Sequence, residues 1–390
     1  MASALPPASW TQREDLAKLI AALGKDNARY VGGAVRDTLL GIDVKDIDLA
    51  TPLVPAEVIA RLGKAHIRTV PTGIEHGTIT ALLAEGPVEI TTLRHDVSTD
   101  GRRATVAFAQ DWREDAARRD FTINALYADP ASGELFDYFG GLDDLAARRL
   151  RFIGDARERI REDHLRILRY FRFQARFGSQ PADADSEKAC AELAATLKAL
   201  SRERIGMEML NLLALPDPAP TVARMAELGV LGVVLPEASV APLAALVAQE
   251  QRQAIGPEAI RRLAAMLPAD AAVTDGVAAR FRLSGAQKKR LACAAGRDAS
   301  VVDPPRSLAY RLGMDQAINR LLLTGNDIAP LRNWNIPVFP LKGGEVVARG
   351  VKAGPKVARI LRKVEDRWVD EGFPDLARIE VLLAEELGRS

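Results

Sequence analysis

The spacing of apolar residues changes character once along this chain, near residue 141, and that change limits what the chain can fold into. Before it, short β-branched-rich runs at 28–31, 66–70, 78–83, 88–92 and 134–138 are bounded by Gly or Pro, which reads as strands. Helical stretches lie between them: 34–40, stopped by Gly41, and 55–62, stopped by Gly63. After residue 141, apolar residues recur three and four apart and strand signals fade. The stretch 159–177 reads as one strong helix, with Ile160, Leu165, Leu168, Phe171 and Ala175 on its buried side. The fold class expected is an α+β head, a mixed sheet with helices, followed by an all-helical remainder.

A chain of 390 residues is long enough for two to four units. Pro216-Asp217-Pro218 and Asp303-Pro304-Pro305 are the natural joints, giving an expected division into 1–141, 142–215, 216–302 and 303–390. With 48% apolar and 27% charged residues the chain has the composition of a folded protein, which excludes disorder as its working principle. The net charge of +1 hides a cluster of arginines between 100 and 180, among them Arg118-Arg119 and the series from Arg157 to Arg176. Such a cluster suits phosphate contact, with a set of solvated faces as the lesser alternative when judged on charge alone.

Cys190 and Cys293 are the only cysteines, and neither has a partner at ligand spacing. This argues against a disulfide framework or a structural zinc and for a reducing compartment. No leader-like segment opens the sequence and no run approaches ~18 uninterrupted apolar residues, so a cytoplasmic protein without a membrane partner is expected. His66, His76, His95 and His164 do not cluster, and no protein partner is implied.

Chemistry concentrates in Tyr30-Val31-Gly32-Gly33-Ala34-Val35-Arg36-Asp37 and in Asp46-Ile47-Asp48-Leu49. A strand running through two glycines into a helix lets backbone approach a phosphate closely, and Arg36 could add a charged fork. Taken alone, Gly32-Gly33 is better read as a plain tight turn. The Asp46-x-Asp48 spacing shifts the balance, because residues i and i+2 of a strand share a face while Ile47 goes to the core. Two adjacent carboxylates repel unless a cation lies between them, and Mg²⁺ prefers such oxygens together with substrate phosphates. Glu89, on a later strand, could supply a third oxygen. That set suits phosphoryl transfer with two Mg²⁺ ions, one activating a hydroxyl and one stabilising pyrophosphate.

The order strand, Gly-Gly, helix, Asp-x-Asp resembles the nucleotidyltransferase superfamily that includes DNA polymerase β. The string from Gly32 to Asp37 resembles the bacterial and eukaryotic class of CCA-adding enzymes and their relatives, the bacterial poly(A) polymerases. Three further segments agree in order: Arg118-Arg119-Asp120-Phe121-Thr122-Ile123-Asn124, the run from Glu162 to Phe173, and Ser201-Arg202-Glu203-Arg204-Ile205. The resemblance implies a polymerase β-like catalytic head followed by a base-recognising helical neck, a body and a tRNA-binding tail. It implies addition of C, C and A to the 3′ end of tRNA from CTP and ATP, with release of pyrophosphate. Poly(A) synthesis, or addition of only CC or only A, is the alternative within the same chemistry. Poly(A) relatives carry a basic Gly-Arg-Arg-Phe strand where this chain reads Gly73-Ile74-Glu75-His76, which favours CCA addition.

Asp163, Arg166, Arg169 and Arg172 step by three, so on one helix they would form a single polar stripe. An aspartate beside an arginine matches the donor–acceptor edge of both cytosine and adenine, and uracil or guanine would meet it with like groups opposed. The plain alternative is a helix face stapled by salt bridges. By resemblance Asp163 and Arg166 read the base, Arg119, Arg169 and Arg172 contact the nucleotide, and Asp120 and Asn124 organise the same site. The polar stretch 93–104 reads as a mobile loop, and Arg94, Asp100, Arg102 and Arg103 resemble charged residues needed to pass from adding C to adding A. A non-catalytic RNA-binding relative would have lost a carboxylate or a base-reading arginine, and all are present. A dinucleotide-binding oxidoreductase would need a third spaced glycine, which is missing.

Overall fold

A computed structural model describes residues 4–100, 103–297 and 304–388. The chain forms two compact units, Met1–Leu212 with Pro220–Pro236, and Leu213–Ala219 with Glu237–Ser390.

The first unit opens with α1 (Glu14–Leu23), then β1 (Arg29–Val31), α2 (Gly33–Leu39), β2 (Ile47–Thr51) and α3 (Pro55–Lys64). β3 (Arg68–Gly73), β4 (Thr78–Leu83), β5 (Gly86–Thr92), β6 (Arg94–Asp100) and β7 (Arg103–Phe108) follow. After α4 (Trp112–Ala117) come β8 (Leu126–Ala128) and β9 (Leu135–Asp137). Seven strands form one mixed sheet in the order β3-β4-β5-β2-β1-β8-β9, and β6 and β7 pair as a separate hairpin. Parallel strands need a crossover, and here the segment through α3, β3 and β4 returns the chain so that β5 lies parallel to β2. Their register sets Asp48 opposite Glu89, with Ile47 opposite Val88 and Leu49 opposite Ile90. The alternation of buried and outward positions in β5 is the period-2 signature of a strand with one wet face.

The helical part of this unit runs α5 (Gly141–Ala146), α6 (Ala156–Glu162), α7 (Arg166–Phe177), α8 (Ala184–Glu192), α9 (Arg202–Leu213), α10 (Ala219–Glu227) and α11 (Val230–Val234). Phe121 and Phe152 form an isolated bridge, and Phe121 packs on Phe152, Tyr170 and Phe173 with ring centroids 5.0–6.3 Å apart. This aromatic cluster fastens α7 to the segment that follows α4.

The expected single helix over 159–177 is two. Asp163 is extended (φ −148°, ψ 105°), its Oδ1 accepts the backbone N–H of Leu165 and its carbonyl accepts that of Arg166. An aspartate competes for local backbone donors and favours such a break over a helix interior. The expected loop at 93–104 is the β6–β7 hairpin, with Arg94 opposite Phe108 at its base. Two strand positions also differ: β3 begins after His66, which has φ 59°, and β8 was not foreseen.

The second unit is helical: α12 (Ala241–Arg252), α13 (Ala259–Met266), α14 (Ala271–Arg280), α15 (Gly285–Ala295), α16 (Pro305–Leu312), α17 (Met314–Leu323), α18 (Gly343–Ala348), α19 (Pro355–Asp370) and α20 (Leu376–Gly388). One core gathers Leu246, Ala265, Leu308, Leu321 and Leu322, and a second gathers Val346, Ile360, Val364, Trp368 and Leu382. Glu250 is buried between Arg261 and Arg262, and Arg262 also donates to the carbonyls of Leu213, Leu215 and Pro216. Every donor of that buried guanidinium therefore has an acceptor, as burial demands. Among the described residues no helix is long and apolar enough to cross a membrane.

Candidate active site

The strand β1 delivers the chain into Gly32, whose φ of 68° lies where a side chain is strained. A Cβ on Gly32 would stand 3.5 Å from Arg119 Nη1 and 3.6 Å from the carbonyl of Asn124, and one on Gly33 3.7 Å from Arg36 Nη2. The turn is therefore closely approached by Arg119, Asn124 and Arg36. Arg36, expected to add a charged fork here, already has partners. Its side chain is buried, donates to Asp37 (2.8 Å) and to Asn124 Oδ1, and lies 4.1 Å over the ring of Phe177. It ties α2 to Asn124 and α7.

Asp46 precedes β2 and is exposed, whereas Asp48 is within the strand and partly enclosed. The Asp48 carboxyl is pushed up to about 6, first by burial and then by the charge of Glu89, with a smaller push from Asp46 and an opposing pull from Arg119. So the charges of Glu89, Arg119 and Asp46 all bear on Asp48. A partly desolvated carboxylate facing two like charges fits a hard divalent cation, which would remove the repulsion. Among the described residues no three His, Cys, Asp or Glu side chains are close enough to hold an ion together. An ion at Asp46 and Asp48 would complete its shell with water and substrate oxygens.

Arg119 donates through Nε to the Tyr127 hydroxyl (3.2 Å) and through Nη2 to Asp115 (3.1 Å). Burial alone would raise the Asp115 carboxyl, but the Arg119 and Arg118 charges and the Tyr127 hydroxyl hold it at about 2. Burial also opposes the charge on Asp120, and Arg169 and Asn124 overcome it and keep that carboxyl below its usual range. Asp120 accepts from Asn124 (3.0 Å) and from Arg169 (2.8 Å). The line continues through Glu208, 3.9 Å from Arg169 and 2.6 Å from Arg172. One polar chain thus runs from Asp37 through Arg36, Asn124, Asp120, Arg169 and Glu208 to Arg172, joining the glycine turn to α9.

The Asp/Arg stripe is arranged differently from a single helix face. Asp163 sits in the break before α7 and its Oδ2 pairs with Arg204 at 2.7 Å. Arg166 donates to Glu162 (2.6 Å) and to the carbonyls of Arg159 (3.0 Å) and Arg118 (2.9 Å). Arg169 feels the charges of Asp120, Glu208 and Asp163, so these groups share one neighbourhood. Arg94 donates to the carbonyl of His76 at 2.7 Å. Arg102 lies outside the described residues, as do the side chains of Asp100 and Arg103. Sequence reasoning passed over Asp115, Tyr127, Arg204 and Glu208. Arg204 lies within Ser201-Arg202-Glu203-Arg204-Ile205, and the others gave no local signal, since each acts through a partner distant in the chain.

A mixed sheet that presents a glycine turn beside an Asp-x-Asp strand, followed by helices bearing arginines, defines a polymerase β-like nucleotidyltransferase. The family described as "Poly A polymerase head domain" matches residues 28–151, and "Probable RNA and SrmB-binding site of polymerase A" matches 183–241. CCA tRNA nucleotidyltransferase 1, mitochondrial, of Mus musculus is 33% identical over 380 residues, covering 92% of this chain and 87% of that protein, and its Homo sapiens counterpart shows the same figures. The crystal structure of the Bacillus stearothermophilus CCA-adding enzyme in complex with CTP superposes with a TM-score of 0.74 at 25% identity, over 96% of this chain and 98% of that one. The chain belongs to the CCA-adding tRNA nucleotidyltransferase family. Nucleotidyltransferases of this class use divalent metal ions.

Proposed function

We propose that the protein completes the 3′ end of tRNA by adding C, C and A from CTP and ATP, releasing pyrophosphate at each step without a nucleic-acid template. The observation that carries this reading is the convergence of Asp48, Glu89 and Arg119 beside the Gly32 turn, in a chain related to CCA tRNA nucleotidyltransferases over most of its length.

In this reading Asp46 and Asp48 hold Mg²⁺, two ions during turnover, with Glu89 as a neighbouring carboxylate. Bound there, Mg²⁺ would supply Lewis-acid chemistry, lowering the pKa of an attacking ribose hydroxyl and offsetting charge on the leaving pyrophosphate. Backbone at Gly32 and Gly33 leaves room for a phosphate, and Arg119 faces it with a fixed positive charge. Arg36 and Asn124 keep that turn in place through their mutual hydrogen bond. Asp163 and Arg166 read the amino and ring-nitrogen edge of C or A, while Arg169 and Arg172, braced by Asp120 and Glu208, contact the nucleotide. The β6–β7 hairpin, with Arg94 at its base, is assigned the passage from C to A addition.

The division into head, neck, body and tail over 1–141, 142–215, 216–302 and 303–390 belongs to the same proposal. Exposed Lys342, Lys352, Arg359 and Arg362 make the last of these suitable for holding an RNA backbone. A reducing compartment such as the cytoplasm suits Cys190 and Cys293, both of which are free.

The test is incubation of purified protein with tRNA transcripts lacking their last three nucleotides, each labelled triphosphate in turn, and Mg²⁺. Two C followed by one A is expected. Long A tails would assign a poly(A) polymerase instead, and incorporation from UTP or GTP at comparable rates would overturn the base-reading assignment.

A further inference from the structure

We infer that Asp115 and Tyr127 are positioning residues that aim Arg119 at the glycine turn, and that the turn of chain ending α4 ties the phosphate side of the site to its base-reading side. This rests on the nucleotidyl-transfer reading above and adds to it a coupling between its two halves.

Asp115 is 1% exposed, yet it accepts from four donors. Oδ2 takes the Tyr127 hydroxyl (2.7 Å) and Arg119 Nη2 (3.1 Å), and Oδ1 takes Arg118 Nε (2.8 Å) and the backbone N–H of Arg94 (3.4 Å). The Tyr127 hydroxyl in turn accepts Arg119 Nε at 3.2 Å. Two N–H groups on one edge of the Arg119 guanidinium are thus pinned by two fixed acceptors. A planar fork held along one edge has a single orientation, which leaves Nη1 beside Gly32.

The same few residues also hold the other side. The carbonyl of Ala117 accepts Arg159 Nη1 (2.9 Å), and the carbonyl of Arg118 accepts Arg166 Nη2 (2.9 Å). Arg119 and Arg166 are therefore braced by one short turn, and a shift of Asp115 moves both. The contact to Arg94 brings the base of the β6–β7 hairpin to the same carboxylate.

A carboxylate that only stabilised the core would alter stability and nothing else. The junction makes a different demand: nucleotide affinity and base discrimination must change together. Tyr127→Phe is the primary variant, because it keeps a ring set edge-on to Trp112 and Tyr138 and removes only the hydroxyl. Asp115→Asn is the second. Equilibrium binding of CTP and UTP is measured without turnover, and exchange of the Arg119 Nε proton is followed by NMR.

Tyr127→Phe is expected to weaken CTP binding about 10-fold or more, as for loss of one hydrogen bond to a charged group, with the CTP-over-UTP preference falling about 3-fold. The Arg119 Nε proton should exchange about 10-fold faster. Asp115→Asn should exceed each effect if it folds. Wild-type affinity, preference and proton exchange in a folded Tyr127→Phe protein would overturn the inference. If the wild-type protein binds no nucleotide, the function proposed above fails, and the Arg119 proton still decides whether the pair positions it.

Discussion

Arg204 Nη2 donates to Asp163 Oδ2 across 2.7 Å while Oδ1 of the same carboxylate accepts the Leu165 N–H, so Asp163 is held from two sides at the entrance to α7. A carboxylate has about four acceptor positions, which leaves room for a base amino group without releasing either partner. Asp163→Ala should cut the preference for CTP over UTP by about 100-fold or more, read as the ratio of kcat/KM values. Arg204→Ala, which frees the carboxylate without removing it, should cost about 10-fold in the same ratio. A ratio unchanged in Asp163→Ala would remove this residue from base recognition.

Asp48→Asn removes the carboxylate that burial and Glu89 disfavour in its charged form. Turnover should fall by about 1000-fold or more, since the interaction lost is one made in the transition state. Affinity for tRNA should stay within about 2-fold of wild type, because docking does not use this group. In chelator-treated samples the variant should melt no lower than wild type, as it relieves a repulsion. Turnover within about 10-fold of wild type in a folded variant would remove Asp48 from the reaction.

Glu208 is buried and serves Arg172 and Arg169 together. Glu208→Gln keeps an acceptor but takes the counter-charge from Arg172 and leaves Arg169 with Asp120 alone, at a cost of about 2 kcal/mol. For a unit of this size the melting temperature should drop by about 4–8 °C. KM for both nucleotides should rise with it, because Arg172 loses its brace and Arg169 keeps only Asp120. A stable variant with unaltered KM would show that α9 does not support the nucleotide-binding arginines.

Asp115 supplies the pH dependence. Its carboxyl is held at about 2 in the fold against an ordinary 3.8. A depressed pKa stabilises the fold fully above 3.8, and that contribution is lost as pH falls from there toward 2. Urea midpoints measured at pH 7, 4 and 2.5 should therefore drop between the last two. The gap between wild type and Asp115→Asn should be constant above pH 4 and close below it. A gap independent of pH across that range would contradict the pairing with Arg118 and Arg119.

Much of the sheet was legible because alternation and glycine stops are local signals. The 78–83 strand was read with its observed ends, and the helix at 34–40 starts one residue earlier, at Gly33. What escaped was set by partners far away in the chain. β8 has only three residues, all buried, so it shows no alternation, and its strand character comes from β1 and β9. The break at Asp163 was hidden by apolar spacing that runs on through both helices. The charged fork expected of Arg36 came from its place in a motif, and its contacts with Asp37, Asn124 and Phe177 gave no local signal. The β6–β7 hairpin, polar and rich in charge, offers no alternation from which strands could be inferred.

The parallel register of β2 against β5 has a consequence for how such a gene can vary. Slipping either strand by one position would bring Asp48 level with Val88 or Ile90 and send Glu89 to another neighbour. Insertions and deletions should therefore accumulate in the turns between residues 52 and 85, where added length bulges outward. Within 47–51 and 86–92 they should be absent from every working descendant, so the ruler that preserves this chemistry is the count of residues in two short strands.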